Sequence, residues 1–229
     1  MRYESELIEA RFIKRLNRFA ALVDLNGAET LVHVANSGRM HELLVEGYRM
    51  LLRAAGNVHR KTAYDLALVD LGPFLCSADA RLPPYLVQEA FYEGRLDQFA
   101  DYESLKREVG LGESRIDLML SGPGGICYVE TKSVTLVEER VGLFPDAPTE
   151  RGRKHLMSLT KALSSGHRAA VVFVVQRPDA VAFAPYDSAD PLFAHALRKA
   201  VAQGVEAYAY KCRVSTQAIT LDSQIPVKL

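Results

Sequence analysis

The sequence predicts a mixed α/β protein: a small N-terminal β-barrel of OB type, then a domain with a mixed central sheet flanked by helices. Three observations predict it. Short apolar runs with turn residues between them recur at near-regular spacing over the first ~80 residues. A break at Asp79-Ala-Arg-Leu-Pro-Pro84 follows. Strand-like and helix-like segments then alternate to the C-terminus. The break divides the 229 residues into an expected barrel over 1–82 and an α/β domain over 83–229.

In the first region, Phe19–Leu25 and Thr30–Ala35 flank Asn26-Gly27, a hairpin turn signal. Tyr48–Ala54 and Ala63–Asp70 read as two further strands, with a turn at Gly56-Asn57. Arg11, Lys14, Arg15 and Arg18 fit a basic helical stripe as well as a strand, so that stretch is ambiguous. In the second region, Leu86–Gly94 reads as a short helix ending at a glycine. Arg115–Leu120 and Ile126–Val134 read as strands around the turn Gly122–Gly125. Glu150 to about Leu163 and Pro191–Gln203 are helical, and Glu206–Cys212 is a strand. Ala169–Gln176 is apolar without alternation, as in a central strand covered on both faces.

Composition excludes several classes. An apolar fraction of 48% rules out disorder. The longest clean apolar run, Ala169–Val175, is far short of the ~20 residues of a membrane helix. With no apolar signal core near Met1, a soluble, cytoplasmic protein is expected. Cys76, Cys127 and Cys212 have no metal-finger spacing and read as ordinary buried thiols. The 28 basic residues balance 28 acidic ones, which argues against a surface that coats nucleic acid indiscriminately. Split at Leu82, the counts are 11 basic against 10 acidic and 17 against 18, so two opposite halves are not cancelling. The basic residues do cluster locally, at Arg11–Arg18, Arg60-Lys61 and Arg151–Lys154.

Chemistry concentrates in Ser114–Ser133. A hairpin folded symmetrically about Pro123-Gly124 sets Asp117 opposite Glu130, and alternation puts Lys132 on the face of Glu130. Like charges facing each other destabilise a sheet. A hard divalent cation, Mg²⁺ or Mn²⁺, held by the two carboxylates, a backbone carbonyl and water would remove that repulsion. Such a metal lowers the pKa of bound water, and a lysine beside it stabilises charge on a phosphoryl oxygen. An exposed hairpin with ordinary surface charges would carry the same short pattern.

Longer blocks carry a resemblance. Arg115–Leu120, Tyr128–Val137 and especially Leu143–Leu156 look like the sugar fermentation stimulation protein A (SfsA) family. Asn36–Met40, Arg60–Thr62, Phe173–Arg177 and Gly204–Glu206 match it too, over essentially the whole chain. The resemblance implies an OB-like N-terminal domain and a C-terminal domain of the PD-(D/E)XK nuclease fold. It also implies DNA binding and a link to regulation of sugar (maltose) catabolism genes. Carried over, Asp117 and Glu130 match the acidic pair, Lys132 matches the lysine, and Thr131 offers its backbone carbonyl to the metal. Glu89 matches a further acidic position of the fold. Thr131 and Ser37 stand where the family more often has Val and Thr, mild departures from its pattern.

Two basic regions are candidates for nucleic-acid contact. Arg151, Arg153, Lys154 and His155 crowd the start of a helix that Thr149 can cap. Positive charge there opposes the helix dipole, which points to phosphate binding; salt bridges with Glu150 or Glu138 are the alternative. On the barrel, Arg11, Lys14, Arg15 and Arg18, the loop Asn36–Arg39 and the pair Arg60-Lys61 offer a second track. Three readings follow: a DNA-binding, metal-dependent phosphodiesterase; a non-catalytic DNA-binding regulator on a retained nuclease fold; and a scaffold without nucleic acid. A homodimer would suit a double-strand cutter. The sequence leaves strandedness open.

Overall fold

The computed structural model describes residues 1–56 and 60–229, so Asn57 of the expected Gly56-Asn57 turn lies outside the described residues. The first sheet comprises β1 (Ile8–Asn17), β2 (Ala20–Leu25), β3 (Ala28–His33), β4 (Arg49–Ala54), β5 (Tyr64–Asp70) and β6 (Leu75–Ser77). Its order is β3-β2-β1-β4-β5-β6, and a parallel β3–β5 contact at His33 and Asp65 closes the first five strands into a barrel. The basic stretch at Arg11–Arg18 is therefore no helical stripe. Arg11, Lys14 and Arg15 lie on β1, and Arg18 lies in the turn beyond it. β1 pairs with β2 on one edge and β4 on the other, with register shifts between Phe12 and Lys14 and between Arg15 and Asn17. Such irregularities let one strand bend around a small barrel. Ala10, Phe12, Val23, Val32, Met50 and Leu66 fill its interior. The β2–β3 hairpin turns at Asn26-Gly27, with φ of 56° and 84°, the left-handed pair that this dipeptide tolerates.

The second sheet is built from β7 (Ser104–Leu111), β8 (Ser114–Gly122), β9 (Gly125–Val134), β12 (Arg168–Val175), β14 (Glu206–Val214) and β15 (Ile219–Ile225). Its order is β15-β14-β12-β9-β8-β7. β9, β12 and β14 run parallel, and the outer pairings are antiparallel, so the sheet is mixed as expected. A smaller sheet, β10 (Val137–Glu138), β11 (Val141–Phe144) and β13 (Ala182–Pro185), lies beside it.

Helix α1 (Pro83–Tyr92) covers one face; α2 (Glu150–Ser164) and α3 (Pro191–Ala202) cover the other. The central strand β12 shows why its sequence does not alternate. Ala170, Val172 and Val174 pack toward Leu86, Val87 and Ala90, while Ala169, Val171 and Phe173 pack toward Leu156, Leu159 and Phe193. α1 begins three residues before its expected start. Pro83 and Pro84 occupy its first turn, where a missing N–H costs nothing. All three cysteines are buried and free. Among the described residues no helix is long and apolar enough to cross a membrane.

The two sheets are bonded to each other. Ser77 N–H donates to Gln176 O (3.0 Å), and the Gln176 amide donates to Asp79 O (3.0 Å) and Ser133 Oγ (2.8 Å). Met40 N–H donates to Asp146 Oδ2 (2.9 Å). A Cβ on Gly38 would stand 2.7 Å from the same carboxylate oxygen, so any larger residue would push Asp146 away from this bond.

Asp65, at the barrel's closing contact, has a side chain only 4% exposed. It accepts from Arg60 (2.5 Å), Arg53 (3.1 Å) and Arg81 (3.1 Å), and Arg81 continues to Asp79 (2.6 Å). Burial pushes the Asp65 carboxyl up, but the three guanidinium groups outweigh burial and hold it well below the usual carboxylate range. A depressed carboxyl stabilises the fold above the ordinary pKa of ~4 and loses that contribution as pH falls. Asp65→Asn is expected to cost about 3–5 kcal/mol at pH 7. Its loss of Tm between pH 7 and pH 3 should be shallower than that of the wild type. A thermal-melt series in which both proteins fall in parallel would contradict this.

Candidate active site

The hairpin β8–β9 has the expected register: Gly122 pairs with Gly125, Leu120 with Cys127 and Leu118 with Val129. The next step would set Asp117 against Glu130, and there the ladder changes. On the far side of β8, pairing passes from Arg107–Leu118 to Val109–Ile116, and Glu108 between them takes φ +56°. Leu118 belongs to the α1-side core and Ile116 to the α2-side core, so the strand turns its faces at Asp117. The Asp117 carboxylate replaces the missing ladder bond. Its Oδ2 accepts from Thr131 N–H (2.8 Å) and Thr131 Oγ1 (2.6 Å).

Glu130 is 3% exposed. Its Oε1 accepts from Lys132 Nζ (2.5 Å) and is also bonded to His155 Nδ1. Arg151 Nε donates to His155 Nε2 (3.3 Å). Arginine only donates, so Nε2 is the accepting nitrogen and Nδ1–H donates to Glu130. The other oxygen, Glu130 Oε2, is buried with no hydrogen-bond partner. Burial is the largest influence on both carboxyls and pushes both up. For Asp117 it prevails, reinforced by the charge of Glu130, and the carboxyl lies above its ordinary value. For Glu130 the Lys132 charge and the His155 bond outweigh it, and the carboxyl lies below. Two neighbouring carboxyls driven in opposite directions are the pattern of a site with divided roles.

The pair sits in a cleft of about 1280 Å³ walled by both parts of the chain. The barrel contributes Arg15, Arg18 and the loop Asn36–Arg39; the second domain contributes Tyr85, Arg107 and residues from Leu143 to Thr149. Seven Lys and Arg residues line it against four Asp and Glu, so the neutral chain is locally positive here.

Asp117, Glu130, Thr131 and Lys132 are thus brought together as expected. Glu89 is not. α1 turns Pro84 and Tyr85 to the cleft, while Glu89, one turn on, takes the Met1 ammonium at 2.5 Å. Of the expected nucleic-acid contacts, Arg18, Arg39 and Arg151 line the cleft with exposed side chains. Arg15 and Asn36 line it as scaffold: Arg15 donates to the carbonyls of Asn36, Gly38 and Arg39, and Asn36 Oδ1 takes Gly38 N–H. His155 is buried and bonded to Glu130 rather than presented outward. Arg11, Lys14, Arg60, Lys61, Arg153 and Lys154 do not line the cleft. Arg60 is bonded to Asp65, Arg153 to Asp190 (3.2 Å) and Lys154 to Glu150 (2.9 Å). Sequence reading missed Tyr85, Arg107 and Asp146. Asp146 lay within the block Leu143–Leu156, and Tyr85 followed the two prolines taken only as a break.

Fold and site together define a class: an OB barrel joined to a mixed-sheet α/β domain, with an acid–acid–lysine cluster in the cleft between them. Comparison with known proteins agrees. Residues 13–77 match the SfsA N-terminal OB domain and residues 81–218 the sugar fermentation stimulation protein RE domain. A sugar fermentation stimulation protein homolog of Desulforamulus reducens is 46% identical over 98% of this chain and 93% of its own. One of Chloroflexus aggregans is 48% identical over 96% and 85%. The solved structure of Pyrococcus furiosus SfsA in complex with Ca²⁺ superposes with a TM-score of 0.92 at 29% identity, covering 100% of this chain and 98% of that one. The chain belongs to the sugar fermentation stimulation protein (SfsA) family.

The opposed carboxyls give a direct check. Glu130→Gln removes the charge that helps to hold Asp117 up, so the Asp117 carboxyl should titrate lower in the variant. Side-chain carboxyl NMR reads this, and an unchanged or higher Asp117 midpoint would contradict the coupling.

Proposed function

We propose that the protein binds DNA and hydrolyses phosphodiester bonds with a divalent metal, Mg²⁺ or Mn²⁺, at Asp117 and Glu130. The observation that carries this is Glu130 Oε2, a carboxylate oxygen buried without a partner beside a second carboxylate. A buried carboxylate oxygen left without a partner is costly, and a cation is the partner that suits it. The donor set is hard oxygen only. Among the described residues no group of three or more His, Cys, Asp or Glu side chains forms a metal cage. Such a site suits a cation that keeps several waters. The N–H and C=O of a strand residue share an edge. The Thr131 carbonyl therefore lies on the side of Asp117 and is a third candidate ligand. The Ca²⁺ complex of the Pyrococcus furiosus relative is in keeping with a hard cation in this family.

A metal bound here would supply an activated water and neutralise charge on the phosphoryl oxygens. The chain's own residues do the rest. His155 and Lys132 hold Glu130 through Oε1 and leave Oε2 free. Thr131 fixes Asp117 with two donors. Lys132, bonded to Glu130 at the cleft, places an ammonium where charge develops on a phosphate. Arg18, Arg39 and Arg151 carry exposed guanidinium groups on the cleft walls and attract the backbone.

The protein should cut DNA with Mg²⁺ or Mn²⁺ and stop on chelation. Asp117→Ala, Glu130→Ala and Lys132→Ala should each lower the rate by about 10²-fold or more. Gel assays beside circular dichroism separate this from unfolding. A protein that shifts DNA but cuts neither DNA nor RNA with either metal would overturn the catalytic reading in favour of a DNA-binding regulator. Binding insensitive to salt would remove nucleic acid altogether and leave a scaffold.

A further inference from the structure

We propose that the cleft receives a single strand of nucleic acid, with a base stacked on Tyr85, and excludes an intact duplex. The assignment rests on the phosphodiester reading of the same cleft and names its substrate class.

The first ground is size. The cleft encloses about 1280 Å³. That is little more than the ~300–1,000 Å³ of clefts that hold one small molecule. A duplex is roughly 20 Å across, given groove depths of ~8.5 and ~7.5 Å, so it can rest on the rim with most of its volume outside but cannot sink whole to the floor. The groups that must meet the scissile phosphate lie at the floor: Glu130 is 3% and Thr131 6% exposed. The barrel loop Asn36–Arg39 walls one side, fixed by Arg15 and by the Met40–Asp146 bond. A strand freed from its complement can descend between such walls; a base-paired one carries its partner with it.

The second ground is the lining. Tyr85 is 47% exposed and, unlike the other exposed aromatics Phe19, Tyr48 and Tyr92, lines the cleft. The Arg107 guanidinium lies over its ring at 4.2 Å from the centroid. Aromatic faces with arginine beside them are the platforms on which unpaired bases stack, whatever their sequence. A base inside a duplex has both faces already occupied. Among the described residues Arg18, Arg39, Arg107 and Arg151 line the cleft and form no salt bridge, so four guanidinium groups are available to phosphates along one strand.

The test is fluorescence anisotropy of the full chain in EDTA, which reads binding without cleavage. The probes are a labelled strand of about 12 nucleotides, within the ~4–16 nucleotides that OB folds occupy, and the blunt duplex of the same sequence. The strand should bind at least about tenfold tighter. Its affinity should fall with salt at a log–log slope of about −3, from four arginines at ~0.7 each. Tyr85→Ala should lose about tenfold on the strand and nothing on the duplex, while Tyr85→Phe keeps the wild-type value. Duplex binding equal to or tighter than the strand's, or strand binding indifferent to Tyr85→Ala, would overturn the assignment. If duplex is preferred and cleavage persists, only the single-strand assignment falls. If neither probe binds and nothing is cut, the phosphodiester reading falls with it.

Discussion

The constraint on which the site depends is a buried negative charge. Glu130 lies on a strand shared with β12, the centre of the sheet, where water cannot solvate it. An isolated carboxylate there would simply take up a proton. Lys132 and His155 prevent this by converging on one of its oxygens. That leaves the other oxygen buried without a hydrogen-bond partner. Asp117 answers with the opposite solution: burial and, after it, the neighbouring charge of Glu130 raise it, and Thr131 keeps it in place. The two acids are different chemical groups because their surroundings differ.

The architecture serves that arrangement. The sheet runs antiparallel from β7 to β9 and parallel from β9 to β14, so the hairpin bearing the acids lies inside the sheet, between the edge strand β7 and the doubly covered β12. α2 packs across that hairpin and brings His155 to Glu130 from its second turn, with Arg151 behind it. The barrel supplies the other wall and is tied across at Met40, Ser77 and Asp79. The cleft therefore belongs to neither half alone: the barrel side brings four of its seven basic residues and none of its four acids, and the second domain brings all four acids.

Much of this was legible in the sequence, for identifiable reasons. Asn26-Gly27 and Pro123-Gly124 fixed two hairpins because turn chemistry is local. The register about Pro123-Gly124 set Asp117 near Glu130 because pairing advances one residue at a time. The continuous apolar run Ala169–Val175 marked the central strand because both its faces are buried. What local pattern could not show depends on distant partners. Arg153 reads as a surface cation because its partner Asp190 lies 37 residues on, and Arg60 does so because the burial of nearby Asp65 comes from the barrel's closing contact and not from local pattern. Glu89 matched a motif position, but the turn of α1 that carries it faces the first residues. The edge strands β7 and β15 have mixed burial patterns with little alternation to read. Ser37 and Thr131, the two departures noted from the family pattern, differ in consequence. Thr131 supplies a hydroxyl bond to Asp117 that a valine could not.

The central claim is that Glu130 Oε2 is held unpaired for a cation. Titration of the full chain with Mn²⁺, followed by the loss of its free electron paramagnetic resonance signal, tests this without requiring any substrate. One site per chain is expected in the wild type, weakened by at least about tenfold in Glu130→Gln, whose shape is kept and whose charge is gone. Wild-type protein that takes up no Mn²⁺, or Glu130→Gln that binds it as tightly as the wild type, would contradict it.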